Sequence, residues 1–239
     1  MPFIRRRIEL GGERIWQLAD FRGLPFTAVA QALSRLQRQG ELTRFSKGVY
    51  YRARETAFGK SQPNPAELQR LVCRNKYIFP AGIAAANLLG FNTQQARKSE
   101  VATTALSLPK KIFGSDTVIH TRRPQAWTAL SEVDAALLDL MRQGARTSEL
   151  SPQETVRRIL ALLSEKGRFE RVLSAAATEP PRVRAMLGAI GDQLGKHRRA
   201  TERLRASLNP LSRFEFGLLA GLKHARDWQA KPGPSREAV

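Results

Sequence analysis

The sequence is poor in the residues that most often carry chemistry. One cysteine, Cys73, stands in 239 residues. A single thiol cannot close an internal disulfide, which fits a reducing cytoplasm. The three histidines, His120, His197 and His224, are scattered. None has a second histidine or cysteine at ligand spacing, so no metal site is expected. No apolar run nears the ~18 residues of a membrane span, and the opening MPFIRRRIEL lacks the apolar region of a signal peptide. A phosphate-cradling G-x-x-x-x-G-K-[ST] loop is missing, as is the G-x-S-x-G nucleophile elbow. Gly114-Ser115-Asp116 opens in the way a nucleotidyltransferase site does, but Thr117, Val118 and Ile119 bring no second carboxylate to hold metal ions, so the stretch reads as a turn. No catalytic residue and no cofactor is therefore expected, and the chain does not read as an enzyme. It has no internal repeat and no low-complexity block.

Acidic residues are also scarce. Asp and Glu number 21 against 40 Lys and Arg, a formal charge of +19. Hydrophobic residues make up 42 % of the chain, so this is a globular protein and not a basic tail. Such a surplus draws a protein toward polyanions, nucleic acid first and an acidic protein second. Residues 1–62 carry 12 Lys/Arg against 5 Asp/Glu, and the rest of the chain 28 against 16, so the basic surface is not confined to one end.

The stretch Pro25 to Tyr51, PFTAVAQALSRLQRQGELTRFSKGVYY, has the clearest local pattern. Val29, Ala32, Leu33 and Leu36 fall at i, i+3, i+4 and i+7, one face of a helix. Thr27, Gln31, Ser34, Arg35 and Arg38 lie off that face. Gly40 suits a left-handed helix stop. The β-leaning runs LTRF and VYYR are joined by Ser46-Lys47-Gly48, a loop with glycine where φ > 0 is needed. Helix, stop and tight basic hairpin predict the recognition helix and wing of a winged helix-turn-helix, which enters the DNA major groove. The predicted DNA contacts are Thr27, Gln31, Ser34, Arg35 and Arg38 on the helix, with Arg44, Lys47 and Arg52 on the wing.

Around this stretch the pattern predicts a first helix over 2–10 with Phe3, Ile4 and Ile8 inward. A short extended link at Ile15-Trp16 and a small helix over 18–22 follow. TAFGKSQPNP, residues 56–65, reads as a linker. The chain then divides into a winged helix-turn-helix over 1–62 and a mostly helical domain over 63–239. Strands are expected at 101–106 and 117–121, forming a small sheet. Beyond Ser131 the chain turns helical, with capping patterns at Ser131/Asp134 and Ser151/Glu154. Apolar stripes start at Val156, Phe169 and Val183, and a last helix is expected through Phe214, Leu218, Leu222 and Ala225. Gly188, Gly191 and Gly195 on the EPPRVRAMLGAIGDQLG helix imply a close neighbour. The tail KPGPSREAV reads as disordered.

Two groups of cations in the second half fit a partner surface. Arg182 and Arg184 sit at a helix start, unfavourable for cations on dipole grounds, and read either as answering to an anionic partner or as ordinary solvated arginines. Lys196, Arg198, Arg199, Arg203 and Arg205 follow in one run, with guanidinium forks suited to carboxylates or phosphates.

With these residues in view, DFRGLPFTAVAQALSRLQRQGELTRFSKGVYY resembles the AbiEi-like antitoxins of abortive-infection type IV toxin–antitoxin systems. The likeness is carried by ALSRL, GELTR and KGVYY, then by FPAGIAAANLLGFNTQ. LRASLNPLSRFEFG and EPPRVRAMLGAIG look similar to part of the family, while the helical region from Ser131 matches loosely. The resemblance implies a winged helix that binds inverted repeats in its own promoter, with Arg35, Arg38, Arg44 and Lys47 on the DNA. It implies a C-terminal domain that counteracts a nucleotidyltransferase toxin. The expectation is an α+β cytoplasmic protein that is both autorepressor and antitoxin. A winged-helix regulator with no toxin, or an enzyme that processes nucleic acid, is the alternative.

Overall fold

The computed structural model describes residues 2–57, 59–73, 76–114, 116–195 and 197–232. The class is α+β, a winged helix-turn-helix followed by a larger, mostly helical part with a small sheet. Two compact units emerge: Met1–Lys76 with Leu108–Ser115, and Tyr77–Ser107 with Asp116–Val239. The expected boundary at 62/63 thus falls inside the first unit.

The first unit opens with helix α1, Pro2–Gly11, strand β1, Arg14–Gln17, and a 3-10 turn at Leu18–Phe21. Helix α2, Phe26–Arg38, and the hairpin strands β2, Thr43–Ser46, and β3, Val49–Arg52, complete the winged helix. The antiparallel sheet runs β1-β3-β2 and pairs Trp16 with Tyr50 and Thr43 with Tyr51. Gly40 at φ +77° ends α2, and Gly48 at φ +78° turns the wing, beside a register shift between Arg44 and Ser46. Both glycines sit where an L side chain would be strained.

Ile4, Ile8, Trp16, Phe21, Val29, Ala32, Leu33 and Leu36 form the core of this unit. Burying a side chain such as that of Leu33 contributes about 1.5–3 kcal/mol. Phe3 is 60 % exposed and faces outward, contrary to expectation. Arg14 stacks 3.9 Å over the Trp16 ring, which also stacks with Phe21.

The expected linker is structured. Strands β4, Glu55–Thr56, and β5, Gly59–Lys60, form a second hairpin. The Ser61 hydroxyl accepts from Arg54 N at 2.8 Å and lies 3.1 Å from the Tyr51 hydroxyl. Tyr51 in turn donates to Glu13 at 2.6 Å. These bonds hold the Glu13 carboxyl below its ordinary range, while burial and then the same carboxylate push the Tyr51 phenol up. Helix α3, Pro65–Val72, follows.

In the second unit, strands β6, Ile78–Pro80, and β7, Glu100–Thr103, flank helix α4, Gly82–Leu88. Between β7 and the next strand of this unit, β8, Val118–His120, the chain passes through residues 108–115 of the first unit, which carry α5, Lys110–Phe113. The sheet order is β6-β7-β8, with β7 and β8 parallel. Ser115, in the expected turn, lies outside the described residues.

Helices α6, Glu132–Arg142, α7, Pro152–Ser164, α8, Arg168–Ala176, α9, Pro181–Leu194, and α10, Arg198–Ala206, build the rest. Both expected caps form: Ser131 Oγ accepts from Asp134 N, and Ser151 shares a reciprocal capping box with Glu154. Those hydrogen bonds from Ser151 lower the Glu154 pKa.

Gly188 and Gly191 are close-approach positions, as expected. A β-carbon would overlap the Trp228 ring at Gly188 and the Thr201 methyl at Gly191. Gly195 is instead the left-handed cap of α9, with open space around it. The expected last helix is broken. Phe214 makes a β-bridge with Ala230, and short 3-10 turns at Gly217–Gly221 and Arg226–Trp228 replace it, with Gly217 at φ +60°. Residues 233–239, the end of the expected disordered tail, lie outside the described residues.

Candidate nucleic-acid interface and partner surface

The four apolar positions of α2 face the core, so its opposite side is outward. At about 100° per residue, Thr27, Gln31, Ser34 and Arg38 follow one line on that side, with Arg35 on its flank. Thr27, Gln31, Arg35 and Arg38 are exposed and Ser34 is half-buried. At the wing, Arg44 and Lys47 are exposed, and Arg44 Nε donates to the Ser46 carbonyl at 3.2 Å. Among the described residues Arg35, Arg38 and Lys47 have no hydrogen bond or ion pair.

Arg52 does not join them. Its guanidinium donates to the carbonyls of Ile8 and Glu9 at 2.8 and 2.6 Å. Those carbonyls belong to the last turn of α1, where helix C-termini hold unsatisfied acceptors and a partial negative charge. Arg52 is a helix cap joining α1 to the sheet, and its place among the DNA contacts is withdrawn.

The acidic residues of this unit leave the same face clear. Glu9 and Glu41 pair with Arg5, Asp20 with Arg14, Glu13 with Arg54, and Glu55 with Lys60. No carboxylate lies in α2 or between β2 and β3. Arg22, exposed in the turn before α2 and without an ion pair among the described residues, is a cation of this surface that the helical pattern did not reach. Its only sequence signal is its place next to Gly23 in the helix-turn-helix step.

The second group divides by tertiary contact. Arg182 donates to the carbonyl of Arg142, the last residue of α6. Arg184 donates to the carbonyl of Ser207, the cap of α10, at 3.2 Å. Cations at the start of α9 are thus used at the C-termini of two neighbouring helices, which reverses their apparent dipole conflict. Arg205 stacks 4.2 Å over Trp228 and donates to Asp192 Oδ2 and to the Asp227 carbonyl. Arg184 and Arg205 therefore have structural work, and the expectation that they are free for a partner is corrected; Arg182 has one nitrogen engaged by the Arg142 carbonyl and also lines a pocket. Lys196 lies outside the described residues.

Arg198, Arg199 and Arg203 remain outward on α10. Arg198 pairs with Glu202 at 3.1 Å. Arg199 and Arg203, one turn apart, have no ion pair among the described residues and border an open depression with Glu202 and Ala206.

Among the described residues no group of three or more His, Cys, Asp or Glu could hold a metal ion. His120, His197 and His224 each face one carboxylate, Glu100, Glu170 and Asp227. Burial raises the Cys73 thiol pKa, the reverse of what an activated nucleophile needs. No helix among the described residues is long and apolar enough to cross a membrane.

Residues 19–119 match a family model described as a family of unknown function, DUF6088. Comparison with curated proteins gives no match. Among solved structures, the crystal structure of the RV2827C protein from Mycobacterium tuberculosis is similar, at 17 % identity and a TM-score of 0.40, over 89 % of this chain and 80 % of that one.

Proposed function

We propose that the chain is a cytoplasmic DNA-binding autorepressor that reads inverted repeats in its own promoter, and that its second unit acts as the antitoxin to a nucleotidyltransferase toxin. The DNA-binding half rests on one observation: Arg35, Arg38 and Lys47 are exposed and unpaired among the described residues, on a carboxylate-free helix and wing. Unpaired cations on such a face exchange counterions for phosphates without first breaking an internal bond. In this reading Thr27 and Gln31, nearer the start of α2, read base edges, and Arg35 and Arg38 in its last turn hold phosphates.

The antitoxin half rests on the resemblance to AbiEi-like proteins and on the outward Arg198, Arg199 and Arg203. A toxin that handles nucleotides carries anionic substrates and an acidic metal site, both of which suit guanidinium partners. The decisive experiment pairs two readouts in the full chain. Operator binding is measured by gel shift, and growth rescue under expression of the neighbouring nucleotidyltransferase reading frame is measured in cells. Rescue with no operator binding, or the reverse, refutes one half and leaves the other standing.

A further inference from the structure

The second unit carries a half-open pocket of about 310 Å³ that the DNA-binding and antitoxin reading does not use. Its polar wall is Glu100, His120, Arg123, Arg142, Gln143 and Arg182. These come from β7, β8, the segment after β8, α6 and α9. Pro180 and Val183 form its apolar side.

Three guanidinium groups converge here, and the charge balance of the wall differs from that of the neighbourhood. Arg123 pairs with Asp139 at 2.7 Å and Arg142 with Glu179 at 2.6 Å. Both carboxylates are buried behind the wall and do not line it. Each takes one edge of its arginine, and the other nitrogens of Arg123 and Arg142 have no carboxylate among the described residues. Among the described residues Arg182 is held by one backbone carbonyl, that of Arg142. The one carboxylate in the wall, Glu100, is engaged by His120 Nε2 at 2.9 Å. The lining thus carries three guanidinium groups and one carboxylate.

Two details mark the segment that carries Arg123. Arg123 Nε is buried and makes no hydrogen bond, a donor left over in a packed wall. Arg122, next to it, is held at φ +58°, which a non-glycine residue rarely adopts. Burial, opposed by Asp139, lowers the Arg123 pKa, and the nearby Arg142 adds to the lowering.

We propose that this cavity binds a small phosphate-bearing ligand, its phosphate received by Arg123, Arg142 and Arg182 with His120 beside them. Several guanidinium forks around one point suit a phosphate with three free oxygens better than a carboxylate with two. The volume sits at the small end of ligand pockets, ~300–1,000 Å³. Among the described residues no Phe, Tyr or Trp lines it, which leaves a nucleobase only the small His120 ring to stack on. Free phosphate and a small sugar phosphate share the chemistry that fits.

The test is calorimetric titration of the full chain at physiological salt with inorganic phosphate, ribose 5-phosphate and ribose. At least one phosphate-bearing probe should bind at one site per chain, and ribose should not. Equal affinity for the two phosphates assigns free phosphate, and tighter ribose 5-phosphate assigns the ester. Arg182→Gln should weaken binding about tenfold or more, consistent with loss of charge-assisted hydrogen bonds. It should also lower the melting temperature of the ligand-free protein, because the Arg142 carbonyl loses its donor, so affinity is compared at a temperature where both proteins are folded. If that variant does not fold, His120→Gln takes its place with the same expectation of weakened binding. Arg203→Gln, on α10, should bind as the parent does. No binding of either phosphate, unchanged affinity in the wall variant, or loss in Arg203→Gln overturns the proposal.

Discussion

Arg142 Nε donates to Glu179 Oε2 at 2.6 Å, joining the last residue of α6 to the residue two before α9. Trp127 Nε1 donates to the other oxygen of the same carboxylate at 2.7 Å, and the Glu179 side chain is fully buried. Truncating one member of such a pair leaves an uncompensated charge and an unpaired indole N–H. Glu179→Ala is expected to cost about 3–5 kcal/mol. Urea unfolding of the full chain measures it, and a loss under 1 kcal/mol would show that the site relaxes or admits water.

Gly188 packs against the six-membered ring of Trp228, with no room for a methyl group. Gly188→Ala should destabilise by about 1–3 kcal/mol through overpacking, although alanine favours the helix. Gly195→Ala tests a different cause, since it sits at φ +64° in open space and its cost is backbone strain alone. Thermal melts of the two variants should differ in the near-ultraviolet signal of tryptophan, which only Gly188→Ala disturbs in the folded state.

Arg38→Ala and Lys47→Ala should weaken DNA binding without lowering stability. Each lost phosphate contact flattens the salt dependence by about 0.9 in the log–log slope. Arg52→Ala should behave in the opposite way, lowering the melting temperature as α1 loses its cap while folded protein keeps its salt slope. A salt slope changed by Arg52→Ala in fully folded protein would return that residue to the interface.

On α10, Arg199→Glu with Arg203→Glu should abolish growth rescue under toxin expression and leave operator binding intact. If operator affinity falls and rescue persists, this basic face belongs to flanking DNA.

Two glutamates set an acid limit on stability. Glu13 and Glu154 are held below the ordinary value of 4.5 by hydrogen bonds, from Tyr51 and Ser61 in one case and Ser151 in the other. A depressed carboxylate stabilises the fold above its unfolded pKa and loses that contribution as pH falls through its folded value. Urea midpoints should therefore be flat near neutrality and decline below about pH 4.5. Glu13→Gln with Glu154→Gln should remove part of the decline; an unchanged acid profile would place its origin in other carboxylates.

Much of the first unit was legible because its determinants are local. Val29, Ala32, Leu33 and Leu36 mark the buried face of α2 by spacing alone, and Gly40 and Gly48 mark its stop and the wing by their need for positive φ. The caps at Ser131 and Ser151 act over three residues and were readable for the same reason. The assignment of arginines was not readable. Arg52 reaches a carbonyl 44 residues away, Arg182 one 40 away and Arg184 one 23 away. Nothing in their neighbours distinguishes them from the outward Arg38 or Arg203. A guanidinium has five donors and a long stem, so which acceptor it meets depends on which helix ends the fold brings within reach. The same holds for the carboxylates of α6: Asp134 and Asp139 look like breaks in an apolar helix, yet both are buried and paired with arginines from outside it. Sequence by itself determined the α+β class, the winged helix and the excess of positive charge, because these follow from periodicity, turn geometry and composition. The tertiary structure alone decided which cations are already paired and which stay unpaired among the described residues, because a charge is satisfied in three dimensions and not along the chain.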